Sequence, residues 1–308
     1  MKARVKQIEI PEGKRIVCIS DIHGEFDLLI KLFKKVNYNE NDVLCILGDF
    51  FTKGSQNKES FEYIKGIADR PDVHILRGNC DWDHEPFLAK EDKEWLDNLP
   101  HIIESRDYIF VHDGIKTENL ADEEVWACKN DAFMEMGLKF SKWVMIGHLP
   151  VDNYCHEVGC SNPIVNEELR IIAIDGGNVV RIKGQLNAFI IESGVFRYEA
   201  VDKLPIHIVE KAQEARGGLH ITWFDRFIEP VGDEDANGFR EYRHIKTGKT
   251  LRMPKRNEWV DNEGRICAGS YGTDYYLPVK PGDAVSVVGR FGNLMFAKKD
   301  GISGWIEL

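Results

Sequence analysis

An α/β fold followed by a separate all-β region is the architecture this sequence predicts. Three observations carry it. Apolar runs alternate with helix-periodic stretches from residue 14 to about residue 80. Polar residues of metal-binding type gather where those apolar runs end. After Leu204 the texture changes to short β-rich segments joined by Gly, Asp, Asn and Pro.

Taken in order, RIVCIS is a short apolar run ending at Asp21, and FDLLIKLFKKV places apolar residues at helical spacing. VLCILG is a second strand, SFEYIKGIADR a second helix and VHILRG a third strand, which makes a β-α-β-α-β series. In open α/β sheets the strand ends are where sites form. DYIFVHDG and WVMIGHLP repeat the strand-end pattern, with a helix expected over ADEEVWACKNDAFMEMGLKF between them. RIIAIDGGNVV and QLNAFIIESGVFRYEAV read as a strand pair completing a second sheet. VEKAQEAR reads as one more short helix, and KTGK as a hairpin turn. The predicted domains are 1–204 and 205–308, the second all-β and barrel-like.

A chain of 308 residues is long for one domain and comfortable for two. A hydrophobic content of 43% with 30% charged residues is ordinary for a soluble globular protein. A formal net charge of −11 argues against binding nucleic acid through its backbone, so a nucleic-acid partner is disfavoured. The opening MKARVKQIEIPEGKR lacks the apolar core of a secretory signal, and no stretch has the apolar length of a membrane span. Seven cysteines are an odd number, several of them in apolar runs, which points to free thiols in a reduced, cytoplasmic protein.

The chemistry lies in six residues, each on a turn after an apolar run: Asp21, His23, Asp49, Asn79, His112 and His148. Singly, each is an ordinary turn residue or a hydrogen-bonded histidine. In series they supply what two adjacent divalent cations need: a carboxylate to bridge, imidazoles and hard oxygen donors to complete the shells. Two cations about 3.5–4 Å apart generate a nucleophile from water and clamp a phosphoryl group.

The series SDIHGEFDLL, LGDFFTKG, LRGNCD, VHDG, IGHLPV and IDGGN…GQLNAF resembles the phosphoprotein phosphatase family of calcineurin-like metallophosphoesterases over about residues 15–200. The resemblance implies a four-layer sandwich of two mixed β-sheets flanked by helices. It also implies a dinuclear centre, manganese first, with iron, zinc or nickel as alternatives. By matching motif, Asp21 and His23 hold the first metal, Asp49 bridges, and Asn79, His112 and His148 hold the second. KPGDAVSVVGRFGNLMFAKKDGISGWIEL is similar to the end of Src-homology-3-like barrels, which would make residues 205–308 a barrel able to take a peptide ligand.

The sequence departs from the family pattern in two places. Where the family reads Gly-Asp-x-x-Asp-Arg-Gly, this chain has Gly48-Asp49-Phe50-Phe51-Thr52-Lys53-Gly54. Where it reads Gly-Asn-His-Asp or Gly-Asn-His-Glu, this chain has Gly78-Asn79-Cys80-Asp81. The missing Asp and His normally pair to protonate the leaving alkoxide. Lys53 stands in for the phosphate-clamping arginine, as a point charge without the bidentate fork. His84 is the candidate replacement acid, and a plain surface histidine is the alternative. Lys129 is a candidate for the second arginine, and Asp175 for orienting a ligand histidine. Cys155, His156 and Cys160 lack the fourth ligand of a structural zinc site.

The function expected is hydrolysis of phosphate monoesters, on a phosphoprotein or a small aryl or anhydride phosphate, by a hydroxide bridging two metals. The alternatives are a phosphodiesterase or dinucleoside polyphosphate hydrolase using the same centre, and a metal-binding scaffold without activity.

Overall fold

The computed structural model describes residues 1–82 and 84–308, and the chain divides into two compact units. The first comprises Met1–Val151, Asn162–Val180 and Gly184–Asp202; the second comprises Asp152–Ser161, Arg181–Lys183 and Lys203–Leu308.

Strands of the first unit are β1 (Val5–Gln7), β2 (Ile16–Ile19), β3 (Val43–Ile46), β4 (Val73–Ile75), β5 (Ile102–Glu104), β6 (Tyr108–Val111), β7 (Trp143–Ile146), β8 (Ile164–Asn166), β9 (Ile171–Ala173), β10 (Leu186–Glu192) and β11 (Val195–Val201). Its helices are α1 (Phe26–Lys35), α2 (Asn57–Ile67) and α3 (Lys90–Asn98). Two mixed sheets result. One has the order β11-β10-β2-β3-β4, with β2, β3 and β4 parallel. The other has the order β1-β5-β6-β7-β9-β8, with β6, β7 and β9 parallel.

Strand alternation divides the side chains between two cores. Cys18, Cys45 and Phe189 of the first sheet pack with Ile103, Phe110, Met145 and Ile172 of the second. Val17, Ile19, Leu44 and Ile46 point the other way, onto the apolar faces of α1, α2 and α3. Helix α1 buries Leu28, Leu29, Leu32 and Phe33, with Asp27 in its first turn and Lys34 and Lys35 in its last, complementing its dipole.

Three expectations need correcting. Residues 121–140 do not form a helix; they form turns and one 3₁₀ segment, Phe133–Met136. The Cys128 N–H is taken by Asp113 Oδ2 at 3.1 Å, and Trp126 and Gly137 adopt φ of 59° and 72°, which no right-handed helix accommodates. VEKAQEAR is extended, because Gln213 exchanges backbone hydrogen bonds with Val279 at 2.8 and 2.9 Å. The supposed strand pair is split between sheets. β9 lies parallel to β7, whereas β10 and β11 form a hairpin beside β2.

Strands of the second unit are β12 (Ile206–Ile208), β13 (Ile228–Pro230), β14 (Phe239–His244), β15 (Thr250–Pro254), β16 (Glu258–Val260), β17 (Ile266–Ala268), β18 (Ala284–Phe291), β19 (Leu294–Lys299) and β20 (Ile302–Glu307). They form antiparallel sheets of four (β12-β18-β19-β20), three (β13-β14-β15) and two (β16-β17) strands. KTGK falls in the β14–β15 connection. Phe239, Phe291, Leu294, Phe296 and Trp305 make an aromatic core, and the Trp305 indole donates to Thr273 O at 3.0 Å. No helix of the described residues is long and apolar enough to cross a membrane.

Candidate metal centre

All six candidate ligands follow strands that end on one edge of the first unit. Asp21 and His23 follow β2, Asp49 follows β3, Asn79 follows β4, His112 follows β6 and His148 follows β7. Backbone bonds lock these turns together: Asp21 N–H to Gly48 O at 3.2 Å, His23 N–H to Asp49 O at 2.9 Å, and Gly147 N–H to His112 O at 2.9 Å. Four ligand candidates lie in the left-handed region, Asp21 at φ 55°, His23 at 47°, Asp49 at 52° and His148 at 68°. Non-glycine residues adopt that conformation at an energetic cost, and such strain concentrates at functional sites. Glycines let the loops close. A Cβ on Gly78 would lie 2.1 Å from both the amide nitrogen and Oδ1 of Asp49, and one on Gly147 would lie 1.8 Å from Ser20 Oγ.

The side chains form one connected cluster. His23 Nε2 lies 3.6 Å from Asp21 Oδ1 and 3.7 Å from Asp49 Oδ2. His112 Nε2 lies 3.4 Å from Asp49 Oδ1 and 3.0 Å from Asn79 Oδ1. The rings of His112 and His148 are 5.0 Å apart. The carbonyls of Leu47 and Lys129 accept from His112 Nδ1 at 2.7 Å and His148 Nε2 at 2.8 Å. Each bond selects the tautomer whose other nitrogen carries the lone pair. Asp21 Oδ2 accepts from Ser20 Oγ at 2.5 Å and His148 N–H at 2.9 Å, which leaves Oδ1 facing His23.

These residues suit cations. Asp21, Asp49 and His112 offer donor atoms within 4.8 Å of one another, and all three are buried. Several of the spacings exceed a hydrogen bond, as expected of groups that share a cation. His23 Nδ1 is buried without a hydrogen-bond partner. Burial opposes charge on both Asp49 and His112. Their mutual attraction overrides it, holding the Asp49 carboxyl far below the usual range and pushing the His112 imidazole up to about 10. The pocket demands positive charge beside Asp49, and the His112 proton meets that demand when no cation does.

Residues 14–182 match the family described as calcineurin-like phosphoesterase. This chain belongs to the calcineurin-like phosphoesterase family. The family depends on a dinuclear metal centre. Similar proteins include two symmetrical bis(5'-nucleosyl)-tetraphosphatases. The one from Vibrio parahaemolyticus is 29% identical over 32% of this chain and 44% of its own length. The one from Actinobacillus pleuropneumoniae is 30% identical over 39% and 52%. The chain spans about half the length of the curated relatives it matches. A solved structure of a putative diadenosine tetraphosphatase aligns with a TM-score of 0.48 at 16% identity, covering 64% of this chain and 98% of that one.

Around the six side chains this chain carries further groups. Thr52 Oγ1 donates to Cys80 O at 2.6 Å, and both residues are buried. Burial and then the charge of Asp49 push the Cys80 thiol up to about 12, leaving it a feeble acid. Lys53 is exposed and adopts φ 66°. Burial of its ammonium opposes charge, but Cys80, Asp49 and Asp21 outweigh it and raise the Lys53 pKa. His84 is exposed and stacks on Trp82 with ring centroids 5.2 Å apart; no contact between it and the six side chains is seen among the described residues. Asp175 Oδ1 accepts the Gly177 N–H at 2.7 Å, which shapes the turn after β9.

One contributor, Asp81, escaped the sequence reading, and Lys129, expected there in place of the second arginine, contributes through its backbone instead. Asp81 receives three backbone N–H groups from the loops carrying Asp49 and Asn79. Lys129 acts on His148 through its carbonyl. The Gly-Asn-Cys-Asp string contains Asp81, but its role follows from its burial, which no local pattern announces.

Proposed function

We propose that this phosphoesterase hydrolyses phosphoric anhydrides and esters with acidic leaving groups, dinucleoside polyphosphates first among them. The observation that carries the reading is a convergent ligand set that lacks the family's His–Asp acid pair at positions 80 and 52. Asp21, His23, Asp49, Asn79, His112 and His148 would hold two divalent cations. When bound there, the cations would supply a nucleophile near neutral pH and neutralise phosphoryl oxygens.

Asp49 sits between His23 and His112 and is the residue suited to serve both cations. Asn79 contributes a neutral oxygen beside His112. Lys53, exposed beside Cys80, would meet a phosphoryl oxygen as a point charge. A water oxygen bonds to phosphorus as the bond to the leaving oxygen breaks. With Cys80 holding its proton tightly, a leaving group that departs as a stable anion needs no donor. A phosphate or aryl oxide meets that condition, and an alkoxide does not. The curated relatives named as tetraphosphatases favour the anhydride. Phosphorylated proteins and aryl monoesters remain within the same chemistry, and the second unit is read as an accessory β domain, Src-homology-3-like in its last strands.

The test is a panel of diadenosine tetraphosphate, p-nitrophenyl phosphate, bis-p-nitrophenyl phosphate and a phosphoserine peptide on protein of measured metal content. Metal-dependent cleavage of the tetraphosphate and the aryl monoester is expected. A strong preference for the diester would sink the reading, as would turnover indifferent to chelation.

A further inference from the structure

The second unit carries an aromatic platform beside a cationic recess. Trp223 and Trp259 stack with ring centroids 5.9 Å apart and planes 14° apart, although they are 46% and 37% exposed. Two indoles side by side at the surface forgo burial that a core would give them, and such patches mark binding sites. The Arg226 guanidinium lies 4.2 Å from the Trp223 ring centroid and 5.8 Å from that of Trp259.

Hydrogen bonds hold the platform in place. Asn153 Oδ1 accepts the Trp223 N–H and Arg181 Nη2, each at 2.9 Å. Arg226 Nη1 donates to Trp223 O at 2.6 Å. One amide therefore ties the aromatic residue to the first arginine, and the second arginine grips the same residue from its carbonyl.

Between them opens a recess of about 20 Å³, lined by Arg181, Lys183, Arg226 and the lone carboxylate Asp152 among its charged groups. That volume admits one oxygen-sized group. Lys183, only 1% exposed, pairs with Asp152 Oδ2 at 3.1 Å and donates to His220 Nε2 at 2.8 Å. Burial and then Lys183 push the His220 imidazole down to about 3, so it stays neutral and accepts. Lys183 engages only Asp152 Oδ2; Asp152 Oδ1 is buried without a hydrogen-bond partner and lies 3.6 Å from Arg181 Nε, an ion-pair distance beyond hydrogen-bond reach. The Nε atoms of Arg181 and Arg226 are both buried without a hydrogen-bond partner. Buried donors left unanswered are costly, and guanidinium donors are suited to phosphate.

An exposed π-face next to unanswered guanidinium donors matches a base carrying a phosphate. We propose that the second unit binds a nucleoside monophosphate group, its base stacked on Trp223 and Trp259 and a phosphate oxygen directed to Arg181 and Arg226. The net charge of −11 favours a free nucleotide over a polyanionic strand. This site involves none of the metal-centre residues.

The test uses the full chain carrying Asp49→Asn, in chelator, so that hydrolysis and metal-mediated binding are both removed. AMP, adenosine, inorganic phosphate and hexa-adenylate are titrated by calorimetry and tryptophan fluorescence. Saturable one-site AMP binding with indole quenching is expected. Adenosine and phosphate alone should bind at least about tenfold more weakly, and Trp223→Ala and Arg226→Gln should each weaken AMP by about tenfold or more. Arg226→Lys, which keeps the charge, should still lose several-fold, with melting curves confirming that each variant is folded. AMP binding unchanged by these substitutions, or absent, overturns the proposal. Hexa-adenylate binding tenfold tighter than AMP overturns it in favour of single-stranded RNA. Trp223→Ala in the otherwise unaltered chain should leave p-nitrophenyl phosphate turnover intact, which keeps this outcome separate from that of the metal centre.

Discussion

Asp81 accepts the backbone N–H of Asp49 at 2.9 Å, together with those of Phe50 at 3.0 Å and Gly78 at 2.6 Å. One buried carboxylate thereby fixes the loop of Asp49 to the loop of Asn79. Asp49 returns the link, accepting the Cys80 N–H at 2.7 Å. Burial and then the negative charge of Asp49 push the Asp81 carboxyl up to about 7. Asp81→Asn turns an amide donor toward N–H groups that need an acceptor. A stability loss of about 1–3 kcal/mol is expected in urea unfolding. Manganese affinity, read by calorimetry, should fall about 10- to 100-fold.

Asp49→Asn keeps an oxygen for the Cys80 N–H but removes the charge that holds the His112 proton. Metal-dependent hydrolysis should fall below detection while the metal-free protein keeps its stability. The His112 imidazole resonance should titrate at lower pH than in the parent chain. Unchanged activity would remove the metal-site argument altogether.

Gly78→Ala would force a Cβ to within 2.1 Å of Asp49 backbone and side chain, with no flexible group to yield. Thermal unfolding should show a loss of about 1–3 kcal/mol or more. A Cβ on Gly66, in α2, would meet nothing within 4 Å, so Gly66→Ala should stabilise by about 0.4–1 kcal/mol.

Cys80→His would return an imidazole to the position where the family carries one. Turnover of an alkyl phosphate should rise by about 10²-fold, the lower end of general acid catalysis, because Thr52 supplies no carboxylate to orient the ring. Turnover of a dinucleoside tetraphosphate should change little. Equal gains on both substrates would show that leaving-group protonation was never the limitation.

His74, in β4, is 7% exposed, and burial, then Lys6, pushes its imidazole down to about 4. An unfolded histidine titrates near 6.5. The folded state therefore binds fewer protons between these values, so its contribution is complete above about pH 6.5 and is lost as pH falls toward 4. Solvent screening limits the loss to on the order of 1–2 kcal/mol. Urea midpoints of His74→Phe and the parent chain, measured from pH 7 to pH 4, should converge or cross as the parent loses stability.

The strand-end ligand candidates were legible because each is written locally, as an apolar run, a turn and a polar residue. The helices α1 and α2 were legible for the same reason, through spacing. Residues 121–140 and 209–216 misled because their helical composition was outcompeted for backbone hydrogen bonds by partners distant in sequence, Asp113 in one case and Val279 in the other. Residues 152–161 and 181–183 give no local sign that they cluster with the C-terminal unit, since that follows from contacts such as Lys183 with Asp152 and His220.

The string of residue types in 14–182 suffices for the family and for naming the six ligand candidates, because those types are chemical and their turns are local. Their convergence required the parallel order of β2, β3 and β4 in one sheet and of β6 and β7 in the other, which brings turns far apart in sequence to one edge. The same holds for the left-handed backbone at Asp21, His23, Asp49 and His148 and for the grip of Asp81 on Asp49. Hydrogen bonds and burial of that kind exist between segments, and a linear pattern has no term for them.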